Sequence, residues 1–177
     1  MDKLDYYIFV DYSGDLIGHV IIDSKKVSEL IQKISRFAHY RNLKHKDKYI
    51  KSIKERIKKE NILSYILRTK IRKLRDNLEI YSDVIDFVKK HNNCSVFISV
   101  DDKQYLSFKK IIDTIDGKNV TVVQESKLKK HSKEDRMSLI IDTLLNIKRL
   151  KDMYRVRASV NPTNRVKHGI RQVTFPL

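Results

Sequence analysis

Two short apolar runs near the start of the chain, Tyr6–Asp11 (YYIFVD) and Leu16–Asp23 (LIGHVIID), constrain the fold more than anything that follows. Both are rich in aromatic and β-branched residues, and Tyr12-Ser13-Gly14-Asp15 separates them. Runs this short, bounded by a Ser-Gly turn signal, predict a hairpin of two buried strands. Asp11 then stands at the exit of a core strand, where a carboxylate costs free energy unless something pairs with it. Taken by itself, such an aspartate reads first as a turn residue.

The rest of the chain alternates between helical and strand periods. Lys25–Tyr40 puts Val27, Leu30, Ile31, Ile34, Phe37 and Ala38 on one helical stripe, with Ser24 as N-cap. Arg41–Lys48 is almost devoid of apolar residues and reads as an exposed basic connector, after which Tyr49–Lys59 resumes a helical period. Asn61–Thr69 alternates and predicts a third strand, with a continued helix as the competing reading. Then come a helix over Ile71–Val88, a strand over Ser95–Val100 ending in Asp101-Asp102, a short helix over Tyr105–Ile115 and a strand over Val120–Val123. The last helix, Glu134–Lys151, is apolar nearly all round in its middle, Met137–Ile147, as a buried helix is. The expected organisation is one domain over residues 1–152, with a basic helical insert at 25–59 and a basic C-terminal hairpin or tail at 153–177.

Charge narrows the partner. The chain has 38 Lys and Arg against 22 Asp and Glu, a formal net charge of +16. Such an excess favours polyanions, of which phosphate backbones are the commonest. The candidate nucleic-acid contacts are Lys44, Lys46, Lys51 and Lys54 on the insert, Arg68, Lys70 and Arg72 at the strand-to-helix junction, Lys129 and Lys130 before the last helix, and Arg155 and Arg157 beyond it. DNA or RNA is the expected partner. No apolar run approaches the roughly 18–20 residues of a membrane span, and the N-terminus shows no signal-peptide pattern. The single cysteine, Cys94, excludes an intrachain disulfide and a Cys-based zinc site. A cytoplasmic protein that does not engage a membrane is expected. There is no phosphate-binding glycine loop and no nucleophile-elbow motif, so those enzyme classes have no support.

Without the insert, the order is three strands, then helix, strand, helix, strand, helix. This order resembles the RNase H-like superfamily: a three-stranded antiparallel meander extended by parallel strands, with helices on both faces. Within it the chain resembles the uncharacterised family labelled domain of unknown function 3800. The resemblance rests on Asp11-Tyr12-Ser13-Gly14, on Val100-Asp101-Asp102, and on Glu125-Ser126-Lys127 followed by Ile141-Asp142-Thr143. Asp142 is the one acid within Met137–Ile147.

The resemblance implies a nuclease that hydrolyses phosphodiester bonds with Mg²⁺ or Mn²⁺, hard cations held by carboxylates that converge from strand ends and a helix. It implies Asp11, Asp101 and Asp142 as catalytic metal ligands, with Asp102 as a substitute for Asp101. A further ligand from Ile71–Val88 is in doubt, because Asp76, Glu79, Asp83 and Asp86 all fall on the polar side of that helix. The alternative is a catalytically inactive, nucleic-acid-binding module of a nucleoprotein assembly, because Tyr12 stands where many relatives carry an acid.

Overall fold

The computed structural model describes residues 4–116 and 119–160. Its strands are β1 (Tyr6–Ser13), β2 (Leu16–Asp23), β3 (Ile66–Lys73), β4 (Cys94–Ile98) and β5 (Val120–Gln124). They form one sheet in the order β3-β2-β1-β4-β5. The pairs β1–β2 and β2–β3 are antiparallel, and the pairs β1–β4 and β4–β5 are parallel. This is the meander-plus-parallel sheet expected from the element order.

Helices cover both faces. Helices α1 (Val27–Lys33), α2 (Lys46–Lys59) and α5 (Lys133–Val160) pack on one face, against Tyr7, Phe9, Leu16, Val20 and Phe97. Helices α3 (Asn77–Lys90) and α4 (Asp102–Asp116) pack on the other, against Ile8, Val10, Ile17, Val96 and Ile98. Side chains alternate along a strand, so β1 sends Tyr7, Phe9 and then Asp11 towards α5, and Ile8, Val10 and Tyr12 towards α3. The sheet backbone opposite Asp11 belongs to Gly18. A Cβ there would lie 2.9 Å from Ile71 Cγ1 and from the Lys70 carbonyl, and 3.1 Å from Ile141 Cδ1. The missing side chain lets α5 settle onto the sheet at the level of Asp11.

Several boundaries differ from the sequence reading. The helix expected over Lys25–Tyr40 ends at Lys33. The tyrosine hydroxyl of Tyr49 accepts from Ala38 N–H and donates to its carbonyl, so the backbone there is satisfied without a continuing helix. Phe37 and Tyr40 still bury their rings, from a loop and a short 3₁₀ turn. Helix α2 begins at Lys46, inside the expected connector. Asn61 adopts a left-handed conformation (φ 47°) that stops α2, and Ile62–Tyr65 is a 3₁₀ turn, so β3 starts at Ile66 rather than Asn61. Its far end takes Ile71–Lys73, and α3 starts at Asn77. Helix α5 runs to Val160, through the first residues of the expected C-terminal hairpin or tail. The remainder of that segment, 161–177, lies outside the described residues.

Candidate functional site

The ends of β1, β4 and β5, the flank of α5 and the Tyr40–Asn42 turn of the insert enclose an open cleft of about 850 Å³. Strand alternation explains its floor. On β1 the residue after Phe9 on the α5 face is Asp11; past the end of β4, two residues after Phe97, it is Ser99; past the end of β5, two after Val123, it is Glu125. Helix α5 supplies Asp142, Asn146 and Arg149, which fall at i, i+4 and i+7 on one side of the helix.

Each acid is held differently. Asp11 is 9% exposed, and its Oδ1 accepts from the Tyr12 N–H at 2.7 Å. Its pKa is pushed up to about 7, first by burial, then by the charge of Glu125 and more weakly by that of Asp142; hydrogen bonds from the Tyr12 N–H and the Ser99 hydroxyl oppose this. Asp142 Oδ2 accepts from the Tyr40 N–H at 3.0 Å, with His39 Nδ1 at 3.8 Å, and its Oδ1 accepts from Asn146 Nδ2 at 2.8 Å. Asn146 Oδ1 in turn accepts from the Ser13 hydroxyl at 3.0 Å, tying α5 to the end of β1.

The cleft also carries basic groups. Arg41, Lys46, Lys130 and Arg149 line the cleft. Among the described residues none of the four has a carboxylate oxygen within 4.0 Å, and neither Asp11 nor Glu125 has a basic nitrogen that close. These four cations, Asp11 and Glu125 therefore share the cleft without forming ion pairs among the described residues.

Of the expected acids, Asp11 and Asp142 meet in the cleft, while Asp101 and Asp102 lie outside its lining. Strand β4 ends at Ile98, and Asp101 caps α4 by accepting from the Gln104 N–H at 2.8 Å. Asp102 accepts from Gln124 Nε2 at 3.0 Å. Glu79 is bound by Arg72 at 2.8 Å and Asp83 by Arg68 at 3.2 Å, so those acids serve β3 and not the cleft. Arg68, Lys70 and Arg72 accordingly lie on the α3 face of the sheet. Lys46 and Lys130 reach the cleft, whereas Lys44, Lys51, Lys54 and Lys129 are exposed outside its lining. Arg155 and Arg157 occupy the last turns of α5, where side chains lie outside the described set.

Ser99, Asn146 and Arg149 were not picked out from sequence, and Glu125 entered only as part of the Glu125-Ser126-Lys127 motif, without a role. Glu125 and Ser99 were legible from strand alternation, and Asn146 and Arg149 from helical spacing relative to Asp142. His39 and Tyr40 left no such signal, since a loop brings them in.

Carboxylates are the right donor chemistry for Mg²⁺ or Mn²⁺. As arranged, however, the residues do not fit such an ion. Among the described residues, no three His, Cys, Asp or Glu side chains are grouped to hold a metal, and both oxygens of Asp142 are engaged by Tyr40 and Asn146.

The chain resembles a solved structure in its fold. The chain is similar to a variant of Bst-RNase HIII, with a TM-score of 0.57 at 12% identity over 88% of this chain; it spans 55% of that protein's length. It also aligns with the RNase HII of Archaeoglobus fulgidus, solved in complex with PCNA, with a TM-score of 0.49 at 14% identity over 88% of this chain and 76% of that one. No family model and no curated protein matches the sequence. The fold is RNase H-like. Among the described residues, no helix is long and apolar enough to cross a membrane.

Proposed function

We propose that this protein binds nucleic acid in the cleft and hydrolyses its phosphodiester bonds, with Asp11 as the central catalytic residue and Glu125 and Asp142 beside it. The observation that carries this reading is that Asp11, Glu125 and Asp142 share one cleft with Arg41, Lys46, Lys130 and Arg149, and that among the described residues none of these four cations is ion-paired with an acid. These cations would hold backbone phosphates. Asp11, raised to about 7, exchanges its proton near neutral pH, as a general base or acid must. In the ionised form it would take a proton from water attacking phosphorus, and in the protonated form it would supply one to the departing oxygen. Burial raises that pKa first, the charges of Glu125 and Asp142 add to it, and the Tyr12 N–H holds the carboxyl in place.

A second reading, a binding module without hydrolysis, is favoured by Asp142, whose two oxygens are held by the insert and by Asn146 rather than left open. One experiment separates the two. Labelled single-stranded and duplex DNA, RNA and hybrid would be incubated with the protein in Mg²⁺, in Mn²⁺ and in EDTA, and the same samples tested for binding. Cleavage that disappears in Asp11→Asn while binding persists supports the nuclease. Binding with no cleavage in any condition leaves the module. No binding to any of these at low salt overturns both.

A further inference from the structure

We infer that Arg149 and Lys46, which both lie over the Tyr40 ring, form a phosphate subsite of the cleft. It would take a backbone phosphate other than the one at Asp11. The inference rests on the nucleic-acid reading above and adds to it the residues that grip the strand.

Tyr40 lines the cleft and is 8% exposed. Lys46 Nζ lies 5.2 Å from the ring centroid, and the Arg149 guanidinium carbon lies 5.4 Å from it. Cation–π attraction orients both groups without cancelling their charge. Some cations elsewhere are tied to carboxylates: Arg72 takes Glu79 at 2.8 Å, and Lys73 takes Asp15 at 2.6 Å. Here two cations share one ring, with no carboxylate within 4.0 Å of either among the described residues. Among the described residues, Arg149 Nε is moreover buried with no hydrogen-bond acceptor. A buried donor on a charged group left unmade is costly, and an incoming anion relieves it.

The local backbone is shaped for this arrangement. Gly14 has φ 62°, and a Cβ there would lie 3.3 Å from Arg149 Cδ, so the bare turn after β1 lets the arginine stem lie across it. The Tyr40 N–H is bound to Asp142, which fixes the ring relative to α5. A guanidinium fork and an ammonium point charge held by one aromatic ring supply the chemistry that recognises a phosphate.

The test measures binding of a fluorescent duplex oligonucleotide against salt concentration for the wild type, Arg149→Gln, Lys46→Gln and a control, Lys110→Gln, which is an exposed cation on α4 across the sheet. Losing one phosphate contact lowers the slope of log K against log salt by about 0.9, and weakens binding about tenfold near ~0.1 M salt. Both cleft variants are expected to show this change and the control is not. A wild-type slope in folded Arg149→Gln, or an equal loss in Lys110→Gln, overturns the subsite. If Arg149→Gln fails to fold by its melting curve, exposed Lys46 decides the matter alone, and a wild-type slope in Lys46→Gln then overturns it. A wild type that binds no oligonucleotide at ~50 mM salt overturns the nucleic-acid reading and the subsite with it.

Discussion

Replacing Asp11 by asparagine should stabilise the protein at alkaline pH, a direction opposite to that of most core substitutions. An aspartate has a pKa of 3.8 when unperturbed and about 7 here, so the folded state binds its proton more tightly than the unfolded state. Between those values the folded state carries the extra proton, and stability falls as pH rises from about 4 through 7. By pH 8 the accumulated penalty is about 4 kcal/mol. Asparagine keeps the acceptor for the Tyr12 N–H and removes the charge that Glu125 and Asp142 oppose. Urea unfolding in EDTA, for wild type and Asp11→Asn at pH 4 and pH 8, reads the effect. The stability difference should move by about 4 kcal/mol in favour of the variant between the two pH values. A difference that stays constant would refute the claim that Asp11 is held protonated by burial and neighbouring acids.

Two other features give independent predictions. His19 on β2 is fully buried beside Asp83, its Nε2 at 3.0 Å from Oδ2, and burial pulls its pKa down to about 4, helped by Arg68 and Lys70 and opposed by Asp83. Its neutral form is favoured in the fold, so this contribution is complete above about 6.5 and is lost as pH falls through about 4; NMR titration should show the low pKa, and a midpoint near 6.5 would contradict it. Gly18→Ala places a methyl 2.9 Å from Ile71 and 3.1 Å from Ile141 and should cost about 1–3 kcal/mol, read as a lowered urea midpoint, while an unchanged midpoint would show that α5 can lift without penalty.

Strand order was legible because β1, β2 and β4 are near-continuous apolar runs whose burial leaves few alternatives. Strand β3 was harder to place. It is an edge strand whose outward residues are Leu67, Arg68, Thr69, Arg72 and Lys73, so its composition carries no buried signature and its position followed from a left-handed Asn61 instead. Asp11 and Asp142 were legible for the same reason as each other: an acid interrupting an apolar segment needs a purpose. Asp101 and Asp102 drew attention by standing at a strand exit, yet β4 stops earlier and they turn into the start of α4. The wall made by His39, Tyr40 and Lys46 depends on where a helix ends and a loop doubles back, which no period in the sequence records.

The alternation along β1 limits how this site can change over time. Tyr7, Phe9 and Asp11 share one face, so a deletion between Phe9 and Asp11 must put them on opposite sides of the sheet. Either the acid leaves the cleft or two aromatic rings leave the core, at roughly 1.5–3 kcal/mol each. A drift in length is therefore penalised by folding before it is penalised by activity. Loss of the acid by substitution at position 11 carries no such cost, and by the pH argument above it makes the fold more stable. A lineage released from the need to cut would be expected to lose Asp11 early and to keep the strand that carried it.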